Sequence, residues 1–279
     1  MKTVLVDCPA RVNLSLKINE TDEFKRICDT IDIYDKLEVS VSKSIDINKL
    51  NIVNNHKANI NLVMTSEHRN INNSVILKAI DAFFKYTGIT GYGTKIMLTK
   101  NIPSHIGLGG SYSDAAGVII ALNEYFDLDL SKQDLINIAS LVHPSIPYFI
   151  YGGYQEINGD KEIKDANKKL GNKYLLGISN LNVNWDYILK SNIKPQILDT
   201  NNMYNCYEWM LPEELLEIKR ILLEAKAKYA SVNGISSSVV GVFSDSHQRF
   251  EALENLRNKH IDTITCKSCE GIIVKRKYK

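Results

Sequence analysis

Between residues 12 and 18 apolar and polar positions alternate without a break: Val12, Leu14, Leu16 and Ile18 enclose Asn13, Ser15 and Lys17. A period of two sends successive side chains to opposite faces of an extended chain, so this run predicts a half-buried strand, and Leu37, Val39 and Val41 predict another. Residues 73–87 change to helical spacing and Gly88 supplies a stop, after which Lys95–Thr99 reads as a short strand. From Ser113 onward, Ala115, Ile119, Leu122 and Phe126 follow at intervals of four, three and four, one face of an amphipathic helix. Ser131 with Asp134 forms a capping-box pattern ahead of Leu135, Ile138 and Leu141. Pro212, Glu213 and Glu214 open a further helix carrying Leu215, Ile218, Leu222 and Ala225. An apolar strand over 239–243, a helix with Phe250, Leu253 and Leu256, and β-like segments complete the chain. The stretch 154–205 is rich in Asn and Lys and weakly periodic, and it reads as a lobe boundary. Strands and helices mix without regular βαβ alternation, which predicts an α+β, two-lobed chain divided into 1–153 and 154–279.

At 279 residues the chain exceeds one ordinary domain of ~100–200 residues. With 44% hydrophobic and 24% charged residues it has the makings of a folded core. Its net charge is only +2 and the charges are interspersed, which argues against nucleic acid as a partner. Lys2 and Asp7 interrupt the N-terminus before a signal-peptide core can form, and no run approaches the ~20 apolar residues that span a bilayer. Five scattered cysteines, an odd number, fit a reducing cytoplasm. Cys266 and Cys269 form a single CxxC without the second pair of ligands that a structural zinc site needs, so they read as free thiols. Oligomeric state is not legible.

The chemistry concentrates in Lys100-Asn-Ile-Pro103-Ser-His105-Ile-Gly107-Leu108-Gly109-Gly110-Ser111-Tyr112-Ser113-Asp114, between a predicted strand and a predicted helix. Glycines let backbone approach a ligand, and the unpaired N–H groups of a helix's first turn form an anion site suited to phosphate. Ser111 and Ser113 add hydroxyls for phosphate oxygens or a magnesium ion. The GxxxxGK[ST] loop is absent, because no glycine precedes a lysine, and a GxGxxG reading fails at Tyr112. A plain strand-to-helix connection would need only ~2–6 residues and one glycine. His105 has no evident carboxylate partner and reads as a solvated side chain, while Trp185 and Trp209 read as packing residues.

The segment Pro103-x-x-x-Gly107-Leu108-Gly109-Gly110-x-x-Ser113-Asp114-Ala-Ala resembles the phosphate-binding motif of the GHMP kinases, the family of galactokinase and the homoserine, mevalonate and phosphomevalonate kinases. Four further segments are similar in the same order: Cys8-Pro-Ala-Arg11-Val-Asn13-Leu14, Thr30-Ile-Asp32-Ile-Tyr-Asp35, Pro147-Tyr-Phe-Ile-Tyr-Gly152-Gly153, and Val232-Asn-Gly234-Ile-Ser236-Ser-Ser-Val-Val. They most resemble the branch acting on 4-diphosphocytidyl-2-C-methyl-D-erythritol. The resemblance implies an N-terminal lobe like domain 2 of ribosomal protein S5 and a ferredoxin-like C-terminal lobe. It implies transfer of the γ-phosphate of ATP, with Mg2+, to an alcohol of a small-molecule substrate in non-mevalonate isoprenoid synthesis. Carried over residue by residue, Gly107, Leu108, Gly109, Gly110, Ser111, Ser113 and Asp114 would line the nucleotide, with Ser113 at the metal. Asn13, Gly234 and Ser236 would border the acceptor, and Arg11 and Ser145 would hold the catalytic positions.

The departures fall at the chemistry. Arg11 stands for the family's lysine and keeps the charge as a planar fork. Ser145 stands for its aspartate, and an unassisted hydroxyl has almost no tendency to accept a proton. Thr21-Asp22 stands where Tyr-His would hold a cytosine ring, Tyr112 where a small residue is usual, and Ser236 for a glycine. Two readings follow: an ATP-dependent kinase, with its acceptor kept or changed, and a catalytically impaired nucleotide-binding pseudokinase that senses or scaffolds. Because phosphoryl transfer relies mainly on positioning and charge, and homoserine kinase is similar in lacking a catalytic aspartate, Ser145 alone does not exclude turnover.

Overall fold

The computed structural model describes residues 2–18, 24–43, 59–64, 75–159, 162–165, 171–181, 183–190 and 203–277. Residues 20–22, where the cytosine-binding departure was read, lie outside them. The first lobe is built on two long antiparallel strands, β1 (Thr3–Ile18) and β2 (Phe24–Lys43). β2 continues to β4 (Tyr92–Thr99), which pairs in parallel with β3 (Asn59–Met64). The sheet is covered by α1 (Val75–Thr87), α2 (Gly110–Phe126) and α3 (Lys132–Ser140). Val6, Val39, Ile80, Phe83, Val118 and Leu122 form the centre of that core. The predicted capping box opens α3: Asp134 N–H donates to Ser131 Oγ at 3.1 Å and Ser131 N–H to Asp134 Oδ2 at 3.0 Å. Pro147 stands at the start of a short helix, α4 (Pro147–Tyr151), where its missing N–H costs nothing.

β5 (Gln155–Asn158) and β6 (Glu162–Asp165) add to the same sheet through β2, and the last strand, β11 (Ile273–Lys277), returns beside β1. The change of sheet therefore falls between Asp165 and Lys173, later than the expected division at 153/154. The reason is local: the chain leaves α4 through Gly152 and Gly153 directly onto the free side of β2, where Gln155 faces Cys28.

The second sheet has the order β10-β7-β9-β8. Its elements run β7 (Lys173–Ile178), α5 (Trp185–Lys190), α6 (Glu213–Glu224), β8 (Tyr229–Val232), β9 (Ser238–Phe243), α7 (Ser246–Asn258) and β10 (Asp262–Lys267). Leaving α5 aside, this is a β-α-β-β-α-β unit, the ferredoxin-like arrangement. Leu215, Ile218 and Leu222 of α6 and Leu256 of α7 bury against it. Between the sheets, Ala10, Val12 and Leu14 of β1 pack with Tyr174, Leu176, Val240 and Val242.

That packing corrects one expectation. Asn13 and Ser15, the polar alternates of β1, are buried rather than solvent-facing. The apolar face of β1 meets the second sheet, while the N–H of Arg11 on the other face donates to Leu108 O of the glycine loop at 2.9 Å.

Candidate functional site

β4 ends at Thr99, and the chain turns through residues 100–109 before α2 begins. Three consecutive odd positions, His105, Gly107 and Gly109, have left-handed backbone, with φ of 64°, 81° and 72°. At Gly107 a Cβ would lie 2.7 Å from Ser236 Cβ and 2.8 Å from Asn233 O, so only glycine lets the loop lie against the second lobe. At Gly109 a Cβ would meet the Phe149 ring at 3.0 Å and Arg11 Nε at 3.4 Å. α2 starts without a side-chain cap. Gly109 O accepts the N–H groups of Tyr112 and Ser113, both at 3.1 Å, and the helix start, Gly110 to Tyr112, borders a cavity of about 370 Å³ together with Lys100, His105 and residues 107–109. Tyr112 does not fill that cavity. Its ring stacks on His143, centroids 4.4 Å apart and planes at 22°, with its hydroxyl 3.3 Å from Nε2.

Arg11 is 7% exposed, and its guanidinium lies 5.3 Å and 5.5 Å from the centres of the Tyr148 and Phe149 rings. Its Nε is buried without a hydrogen-bond partner. Two aromatic faces offset part of the cost of burying this cation, but no carboxylate pairs with it among the described residues. Its Nε lies against the loop at Gly109, while Arg11 itself borders neither the loop cavity nor the second cavity described below. Ser145 sits before α4, half-buried, and its N–H donates to His143 Nδ1 at 3.1 Å. Its hydroxyl has no hydrogen-bond partner among the described residues, it does not bond to Arg11, and it borders no cavity described here.

Ser113 and Asp114 lie behind the loop rather than on its surface: both are buried, and neither borders the cavity. Lys100 donates to Asp114 Oδ2 at 2.7 Å and to Asp35 Oδ2, while Asp35 Oδ1 accepts the N–H groups of Asn101 at 2.5 Å and Ile102 at 2.8 Å. This buried trio fixes the start of the loop. Burial pushes the Asp114 carboxyl up to about 8 against the pull of Lys100. Burial acts to lower Lys100, but Asp114 and Asp35 outweigh it, so the ammonium is held protonated. The Ser113 hydroxyl and Asp114 Oδ1 are buried without partners. Among the described residues no group of three or more His, Cys, Asp or Glu is assembled for a metal ion.

Asn13 and Gly234 are packed against one another, and a Cβ at Gly234 would lie 2.9 Å from Asn13 Nδ2. The residue that organises this junction is Asn233, which sequence reasoning passed over. Its Oδ1 accepts Asn13 N–H at 2.8 Å and Asn13 Nδ2 at 3.0 Å, and its Nδ2 donates to Ile106 O at 2.9 Å. One amide thus ties β1, the glycine loop and the β8–β9 turn. The available signal was a polar residue directly following the buried Val232. Ser236 Oγ donates to Asn233 O at 2.8 Å. Of the residues expected at the acceptor, Ser236 alone borders the second cavity, of about 360 Å³, between the loop and the second lobe.

Residues 74–153 match the model of the GHMP kinase N-terminal domain. A protein of Thermodesulfovibrio yellowstonii named 4-diphosphocytidyl-2-C-methyl-D-erythritol kinase is 32% identical over 209 residues, 65% of this chain and 73% of its own length. One of the same name from Prochlorococcus marinus is 28% identical over 77% of this chain, and the match spans 65% of that protein. The fold agrees with a crystal structure of 4-(cytidine 5'-diphospho)-2C-methyl-D-erythritol kinase, at a TM-score of 0.71 and 20% identity over 94% of this chain and 98% of the other. It agrees equally with homoserine kinase from Cytophaga hutchinsonii, at a TM-score of 0.74 and 16% identity over 98% and 97%. Among the described residues no helix is long and apolar enough to cross a membrane. With a glycine loop set between β4 and α2, an orphaned arginine beside it, and relatives over most of its length, the chain belongs to the GHMP kinase family.

Proposed function

We propose that the protein transfers the γ-phosphate of ATP to the hydroxyl of a small molecule in the cytoplasm. The first acceptor to test is 4-diphosphocytidyl-2-C-methyl-D-erythritol, which the names of its relatives supply. The observation that carries this reading is Arg11: a buried guanidinium with an unsatisfied Nε, set against a glycine loop that borders a cavity. Such a cation is costly without an anion, and a triphosphate chain laid over Gly107–Ser111 would provide one. Arg11 and the α2 N-terminus would orient the phosphates and stabilise charge on the transferred group, the contribution that matters most in a loose transition state.

The residues fit a magnesium ion only in part. Ser113 carries an orphaned hydroxyl but is buried behind the loop, and Asp114 is occupied by Lys100, so the phosphates would supply most of the coordination. When bound, the ion neutralises charge on the phosphates.

Ser145 favours a second reading, a nucleotide-binding pseudokinase, because its hydroxyl cannot accept the acceptor's proton. Incubation with γ-labelled ATP, magnesium and a panel of alcohols headed by the cytidyl polyol separates the two. Label in an alcohol supports the kinase. Nucleotide binding without label transfer to any acceptor supports the pseudokinase.

A further inference from the structure

Two cavities flank the glycine loop, and His105 borders both. Its backbone is left-handed, at φ 64°, a conformation that His, like Asn and Asp, adopts more readily than other non-glycine residues. The side chain is exposed and has no hydrogen bond, ion pair or ring contact among the described residues. The first cavity is the one assigned above to the triphosphate. The second is walled by Ile106, Ile178, Ser179, Trp185, Ser236 and their neighbours, and among the described residues no Asp, Glu, Lys or Arg borders it. The indole N–H already donates to Ser236 O at 3.1 Å and Ser236 Oγ to Asn233 O. This leaves the Asn180 amide, the serine oxygens and aliphatic carbon, which suit an uncharged, hydroxyl-bearing group and offer nothing to balance a diphosphate.

We propose that the second cavity receives the uncharged polyol end of the acceptor, and that His105, at its junction with the loop, takes the acceptor's proton. This rests on the phosphotransferase reading given above. The alcohol oxygen bonds to the γ-phosphorus, and its proton passes to the lone pair of a neutral imidazole nitrogen. The bond from phosphorus to the β–γ bridging oxygen breaks with its electron pair on that oxygen, leaving nucleoside diphosphate. The imidazolium then returns its proton to solvent. The other titratable groups bordering the cavities are Lys100 and Tyr112, both on the loop side. Lys100 is a protonated ammonium held by Asp35 and Asp114 and has no lone pair to offer. The hydroxyl of Tyr112 is directed to His143, and Ser145 borders neither cavity. A neutral imidazole carries a ring nitrogen with a lone pair that can take a proton.

The test uses the full chain with γ-labelled ATP and magnesium, and three acceptors: the cytidyl polyol, erythritol and water. His105→Asn is the informative variant, because asparagine tolerates left-handed backbone. Its kcat should fall ~10²-fold or more, with the acidic limb of the pH profile lost. The rise in Tm produced by ATP should be unchanged. Added imidazole should partly restore transfer in His105→Gly. Wild-type rate and pH profile in His105→Asn would overturn the proposal, as would loss of ATP stabilisation in step with rate. A wild-type protein that binds ATP but transfers phosphate to none of the three acceptors rejects the phosphotransferase reading and this step together. An active wild type with an equally active variant rejects the step alone.

Discussion

The glycine loop and the segment 143–147 meet through the stacked rings of Tyr112 and His143, and they have kept the family's chemistry to different degrees. The loop retains Gly107, Leu108, Gly109 and Gly110, and the proposed anion site rests on its backbone N–H groups with Arg11 beside them. On the other side Ser145 stands where the family resemblance implies a carboxylate. A phosphate cradle is spread over many amides and tolerates a change such as Tyr112, provided the ring has somewhere to go. A general base is one side chain, and its replacement removes a ~10²–10⁴-fold contribution in a single step. This contrast explains why phosphate positioning is written across the site while the origin of proton transfer has to be sought elsewhere in it.

The sharpest way to break the comparison is Arg11→Met. Losing a charge-assisted contact of ~1.5–3 kcal/mol should weaken ATP binding about 10–100-fold. The apo protein should melt no lower than wild type, since a buried cation without a partner is removed. A lower apo Tm with unchanged ATP affinity, by calorimetry and titration, would make Arg11 a packing residue. Next comes Ser145→Asp placed in the His105→Asn background. A carboxylate at the family's position should recover at least about 10-fold of the lost rate, as a general base contributes ~10²–10⁴-fold, and no recovery would put residue 145 out of the acceptor's reach.

A smaller effect is expected from His143→Ala, which frees the Tyr112 ring to enter the loop cavity. ATP should bind a few-fold more weakly and Tyr112→Ser should restore it, with a coupling of about 0.5–1.5 kcal/mol in the double-mutant cycle. Additive effects would mean that the stack does not protect the cavity. The smallest is a pH effect at Asp114. Its carboxyl is raised to about 8 by burial, so the folded state holds a proton that the unfolded chain releases near ~3.9. Stability should therefore fall as pH rises from about 4 to about 8, and Asp114→Asn should flatten the slope measured by denaturant titration across that window.

Local pattern carried much of the fold. The capping box at Ser131, the helix after the glycine loop and the strand at 239–243 are all where period and capping place them, because each depends on neighbours in sequence. What escaped depends on distant chain. The burial of Asn13 and Ser15 follows from β1 being covered on both faces, which no alternation on one strand can reveal. The same holds for Asn233, whose partners lie at Asn13 and Ile106, and for the Tyr112–His143 stack. Within the loop the glycine spacing led to the proposal of an anion site. Only the three-dimensional arrangement turned Asp114 inward to Lys100 and set His105 between two cavities.

Titration of magnesium ATP into the full-length protein by isothermal calorimetry is the most direct check that the loop is a nucleotide site. Saturable uptake of one nucleotide per chain, weakened in the Arg11→Met variant, is the predicted result. Absence of binding at millimolar ATP, in a protein that melts cooperatively, would contradict it.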